Sequence, residues 1–147
     1  MRHPLLQLLT ACLLLIPLAG QAENSTHERG YTVHHNAIPS AMLTPDVAKQ
    51  YGIVRSKYRG LLNVSVIRER PGTVGESVPA RVEVTMTDLT GRSQPLPMRR
   101  IREGDAYYYI GEFPVVDGET YSFRMRVTPQ GEQQPIEAGI EQQFFVD

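Results

Sequence analysis

The stretch that decides the fold runs from Arg99 to Phe123 and reads RRIREGDAYYYIGEFPVVDGETYSF. Side chains alternate across a pleated strand, so Ala106, Tyr108 and Ile110 take one face and Tyr107, Tyr109 and Phe113 the other. Both faces are apolar. Such a strand belongs inside a sheet, with one face on the core and the other under partial cover. The corner that follows, Pro114 to Tyr121, carries a Tyr four residues after an Asp, which is similar to the tyrosine corner of immunoglobulin-like sandwiches. Phe123 then stands where antibody domains keep a cysteine. A generic hairpin with an aromatic strand is the alternative.

Working outward, the neighbouring segments read as strands with one buried face. Gly30 to Ala37 places Tyr31, Val33, His35 and Ala37 on one side and Thr32, His34 and Asn36 on the other. Leu61 to Arg70 aligns Leu62, Val64 and Val66, and Val78 to Leu89 alternates most regularly, with Val78, Ala80, Val82, Val84 and Met86 inward. Pro95 to Ile101 reads as a weaker strand whose two prolines suit a sheet edge. Thr120 to Val127 turns Tyr121, Phe123, Met125 and Val127 inward, and Pro135 to Val146 does the same with Ile136, Ala138, Ile140, Phe144 and Val146. One short helix interrupts the pattern: Thr44 is an N-cap, Pro45 suits the first helical position, and Gly52 lies just past the end. At that length it needs tertiary packing, through Val47, Ala48 and Tyr51. Half-polar strands at this spacing predict an all-β, immunoglobulin-like antiparallel β-sandwich of about seven strands with one short α-helix. Glu23 to Glu28 reads as a loose tail.

The amino terminus predicts export. Arg2 and His3 precede an apolar run from Leu5 to Leu18, and Gly20-Gln21-Ala22 presents small residues for cleavage after Ala22. The run is shorter than the ~20 residues that span a bilayer. Leu9-Thr10-Ala11-Cys12 spells a lipoprotein-type box but lies too early in the run. Residues 1–22 are therefore expected to be a cleavable signal peptide and 23–147 one periplasmic domain. Cleavage removes Cys12, the one cysteine, and with it any disulfide or thiol nucleophile. Without Arg2, 14 of the 15 basic residues remain against 16 acidic ones, a net charge of −2. That balance argues against nucleic acid or a membrane surface as partner.

Several stretches resemble one family of small exported Gram-negative bacterial proteins, the domain of unknown function 4426. They are His34-His35-Asn36-Ala37, Leu43-Thr44-Pro45-Asp46-Val47-Ala48, Tyr51-Gly52-Ile53, Arg55-Ser56-Lys57, Arg59-Gly60-Leu61-Leu62-Asn63, Ile101-Arg102-Glu103-Gly104-Asp105-Ala106 and Glu141-Gln142-Gln143-Phe144-Phe145-Val146-Asp147. The resemblance covers nearly all of the expected mature chain. It implies an exported single-domain protein and carries no catalytic residue onto this one.

Candidate chemistry is sparse. The chain has no Gly-x-Ser-x-Gly elbow, no His-Glu-x-x-His and no phosphate-cradling glycine loop. Glu103 with Asp105, and Asp117 with Glu119, sit beside turn glycines and read as turn residues rather than an acid–base pair. No enzyme activity and no cofactor are expected. Imidazole and thioether suit copper, which makes His34, His35 and Met42 candidate ligands. Adjacent residues of a regular strand point to opposite faces, however, so the two histidines need a bulge to share an ion. Arg55, Lys57 and Arg59 form one basic group, and Arg99, Arg100 and Arg102 a second on the expected edge strand. Arginine forks grip carboxylates and phosphates. Paired surface charge is the alternative for both groups, and each exposed pair is worth only ~0.2–1 kcal/mol. The sequence thus predicts a non-catalytic interaction module of the cell envelope, with a protein or an anionic envelope component as partner. Periplasmic copper or small-ligand binding is the alternative function.

Overall fold

The computed structural model describes residues 24–146. The expected signal peptide and Cys12 lie outside the described residues. In chain order the strands are β1 (Ser25–Glu28), β2 (Tyr31–Pro39), β3 (Arg59–Arg68), β4 (Glu76–Ser77), β5 (Ala80–Thr87), β6 (Ser93–Leu96), β7 (Arg99–Glu103), β8 (Ala106–Pro114), β9 (Thr120–Pro129) and β10 (Ile136–Gln143). A 3-10 turn (Ser40–Met42) and the helix α1 (Pro45–Gln50) lie between β2 and β3. All pairings are antiparallel. They make a six-stranded sheet in the order β1-β2-β3-β8-β7, with β4 also on β3, and a four-stranded sheet in the order β10-β9-β5-β6.

The facing sides of the two sheets share one core, as the alternation requires. Val33, Leu62, Val64 and Val66 of the larger sheet meet Val84, Phe123, Met125 and Val127 of the smaller one. Strand β8 lies between β3 and β7 and is buried on both sides. Tyr109 and Phe113 enter the sandwich core, whereas Ile110 joins Leu61, Ala48 and Ile53 in a separate cluster under α1. Around Phe113 the rings of Phe123, Phe144 and Tyr121 stand 4.9, 5.5 and 5.8 Å away, tilted or edge-on, the geometry aromatic quadrupoles favour. The Phe113 ring also lies over Gly60, its register partner on β3, where any Cβ would come within 2.3 Å of it.

The tyrosine corner is present. The Val116 N–H donates to the Tyr121 hydroxyl at 3.1 Å, and that hydroxyl donates to Glu119 at 2.8 Å. The chain end is fastened to the same corner, because Phe144 N–H donates to the Glu119 carbonyl and Gly118 N–H to the Phe144 carbonyl.

Ten strands occur among the described residues instead of about seven, and each difference has a cause. Residues 25–28 pair with β2 rather than trailing loosely; His27 Nδ1 lies 3.0 Å from the Glu69 carboxylate, which also accepts from Thr32. Strand β4 is a two-residue pairing with the end of β3. The segment expected as one strand over 95–101 is two, because β6 pairs with β5 in one sheet and β7 with β8 in the other. Pro97 has no N–H for a continuous ladder, and the crossing chain packs Leu96 and Met98 against Gly111, where a Cβ would meet the Met98 sulfur at 2.5 Å.

Two substitutions test this frame in urea unfolding. Tyr121→Phe leaves the Val116 N–H without its partner and is expected to cost about 1 kcal/mol, read as a lower midpoint at unchanged slope. Gly60→Ala must displace the Phe113 ring and is expected to cost about 1–3 kcal/mol. Wild-type midpoints in both variants would contradict this packing.

Candidate functional site

Strand β7 is one of the two edges of the larger sheet, and its pleat sorts its residues onto two surfaces. Arg99, Ile101 and Glu103 share the outer face with Ile110 and Tyr108, while Arg100 and Arg102 share the other with Tyr109 and Tyr107. The two guanidinium groups lie 5.7 and 5.5 Å from the Tyr107 ring centre, both within cation–π range. Tyr107 is fixed from behind, because its N–H donates to Ser77 Oγ at 2.9 Å. Arg102 Nε also donates to the Gly104 carbonyl at 3.3 Å. Among the described residues neither Arg100 nor Arg102 makes an ion pair. Arg102 and Tyr107 border an open groove of about 840 Å³ that reaches Ser77 and Gln130.

The other predicted cations have different surroundings. Arg99 donates to the Tyr51 carbonyl at the end of α1. Arg55 donates to the Leu43 and Ala41 carbonyls at 2.7 and 3.1 Å, clasping the 3-10 turn. Arg59 stands 3.5 Å from Glu112, and Lys57 lies over the Tyr58 ring at 5.4 Å. Arg99 thus holds the end of α1 to the sheet, Arg55 ties the loop after α1 back to the segment before it, and Arg100 with Arg102 forms a separate exposed pair.

The histidines are split by the regular register of β2. His34 pairs with Ser25 and Ser65 on the outer face. His35 points into the sandwich, 6% exposed, with Nε2 3.4 Å from Thr26 Oγ1 and Nδ1 buried without a hydrogen-bond partner. Met42, in the 3-10 turn, is 69% exposed. No three His, Cys, Asp or Glu side chains converge among the described residues. The two acidic pairs serve turns and contacts: Glu103 accepts from the Tyr51 hydroxyl, Asp117 from Val146 N–H and Glu119 from Tyr121.

A cleft that strand periodicity does not foretell lies between α1 and the outer face of β2, β3, β7 and β8. It encloses about 190 Å³, apolar except for Asn36, Asn63, Tyr51, Tyr108 and Glu103. Asn36 and Asn63 are register partners, and Asn63 Oδ1 is buried without a partner. The one signal for it was a polar Asn among the apolar residues of Leu61-Leu62-Asn63-Val64.

Burial, and then the neighbouring His34, lower the His35 pKa below its ordinary 6.5. Below that pH the unfolded chain takes up a proton that the folded chain refuses, so stability falls as pH drops toward the folded value. His35→Gln removes this dependence. Urea unfolding from pH about 7.5 to about 5.5 is expected to favour the variant increasingly at the acid end; parallel curves would contradict a buried neutral His35.

The comparisons with known proteins agree with this architecture. The family model described as Domain of unknown function (DUF4426) matches residues 25–147. Among solved structures, a DUF4426 family protein of Pseudomonas aeruginosa PAO1 is 34% identical, with 87% of this chain and 98% of that chain covered and a TM-score of 0.71. FetP of uropathogenic Escherichia coli strain F11 is 12% identical, covering 82% of this chain and 92% of its own at a TM-score of 0.58. A copper-bound FetP variant gives 12%, 84%, 95% and 0.59 in the same order. At that identity the FetP likeness shows the fold alone. No curated protein matches the chain. Matched by its family model over nearly all the described residues, the chain belongs to the DUF4426 family.

Proposed function

We propose that the chain is a non-catalytic binding module of the periplasm, delivered there by its amino-terminal segment, that docks an anionic partner of the cell envelope on strand β7. The observation that carries this reading is the pair Arg100 and Arg102, both over one tyrosine ring and in no ion pair among the described residues. Stacking restricts the two side chains before a partner arrives, so less rotamer freedom is lost on binding. Their N–H forks then suit carboxylate or phosphate oxygens. The unpaired backbone of β7 adds a second means of engagement, because an extended segment can join a sheet edge. The acidic pairs, engaged in turns and neighbouring contacts, support the non-catalytic part of the reading.

Affinity capture after cross-linking in cells tests it. Wild type is expected to retain an acidic or phosphate-bearing partner, with recovery falling as salt rises. Arg100→Glu with Arg102→Glu is expected to lose it at least about tenfold, while Arg81→Glu, an exposed change on β5, keeps it. Equal recovery from the double variant sinks the proposal.

Copper is the second reading, at His34 or His35 with Met42. It is favoured by the unpartnered Nδ1 of His35, and FetP, which shares the fold, has a copper-bound variant. Stoichiometric copper binding that survives a mild competitor and disappears in His35→Ala would establish it. No binding to wild type removes it.

A further inference from the structure

The cleft beneath α1 lies on the opposite face of β7 from Arg100 and Arg102 and does not depend on the docking reading. Its floor is Ile38, Leu61, Ile101 and Ile110, with Val47 and Tyr51 overhanging from the helix and its end. The volume, about 190 Å³, exceeds the ~150 Å³ of an engineered apolar cavity that takes up benzene. One aromatic ring or branched chain with a few further atoms fits.

The polar groups around it decide what that molecule carries. Asn63 Oδ1 is a buried acceptor that no donor reaches, and a buried polar atom of this kind is rare enough to require a reason. Glu103, at the rim, is a second acceptor. The Tyr51 hydroxyl is already committed to Glu103, whose hydrogen bond pushes the Tyr51 pKa up to about 12 and keeps its proton in place. Arg99, the cation of β7 on this side, is turned to the Tyr51 carbonyl. The cleft therefore offers a ligand two acceptors, Asn63 Oδ1 and Glu103, beside the Asn36 amide and the Tyr108 hydroxyl, and no cation lines it. An anion would meet Glu103 with nothing to balance it.

We infer that the cleft binds a small neutral or cationic molecule, an aromatic ring or branched aliphatic group bearing one O–H or N–H that donates to Asn63 Oδ1. The donor satisfies the orphaned oxygen, and the apolar body covers the isoleucine floor.

Isoleucine-methyl NMR of the purified protein, titrated separately with phenol, benzylamine, toluene and benzoate, tests the assignment. Phenol and benzylamine are expected to move the Ile38, Ile101 and Ile110 signals saturably, with toluene and benzoate at least about tenfold weaker. Asn63→Leu is expected to weaken phenol about tenfold, to the level of toluene. Val47→Trp fills the cleft from the helix side and is expected to abolish the phenol shifts while leaving Asn63 in place. Should Asn63→Leu fail to fold, the phenol-to-toluene ratio in wild type decides alone. Toluene or benzoate binding as tightly as phenol, or phenol binding undiminished in a folded Asn63→Leu, overturns the donor assignment. Absence of saturable shifts with every probe overturns the site.

Discussion

Strand β8 has no polar face to give to water, and the rest of the fold answers that constraint. Tyr109 and Phe113 are covered by the second sheet, but Ile110 on the opposite side needs a cover of its own. The α1 segment supplies it. A helix of six residues is about 9 Å long at ~1.5 Å per residue and is unstable alone. It is held by the Thr44 cap, by Arg55 and Arg99 on backbone carbonyls and by Tyr51 on Glu103. Four strands set about 4.8 Å apart present a wider face than such a helix can close. The cleft is what remains uncovered.

Strand β7 then divides the molecule's two candidate surfaces by the elementary alternation of the pleat. Arg99, Ile101 and Glu103 close and line the cleft, and Arg100 and Arg102 turn to Tyr107 on the other face. Five consecutive residues thereby serve structure and border both candidate surfaces. The arrangement requires the chain to leave the smaller sheet at Leu96 and join the larger one at Arg99, passing over Gly111. A side chain at position 111 would block that passage, so the position of the arginines rests on a missing Cβ in the neighbouring strand β8.

The histidines show how strongly register governs chemistry. Neighbours in sequence, His34 and His35 have the two faces of a sheet between them, one ring at the surface and the other in the sandwich. FetP shares this fold at 12% identity, and fold alone does not bring ligand side chains together. Membership of the DUF4426 family fixes the architecture of the described residues without assigning a residue to a task.

Periodicity along the sequence was enough to specify the buried face of nearly every long strand, the Thr44-capped helix, the tyrosine corner and the edge position of Arg99 to Arg102. Each of these rests on contacts a few residues apart or on an alternation that burial enforces locally. Three things were decided only in the folded chain: the pairing of residues 25–28, the division of the 95–101 segment between sheets, and the cleft. All depend on which distant backbone lies alongside, as Ser25 beside His34 and Leu96 over Gly111 do. The alternation of Arg99 to Arg102 was readable, but not that Tyr107 would hold two of those guanidinium groups while the Tyr51 carbonyl took a third. A sequence states which faces a strand has; its neighbours determine what each face meets.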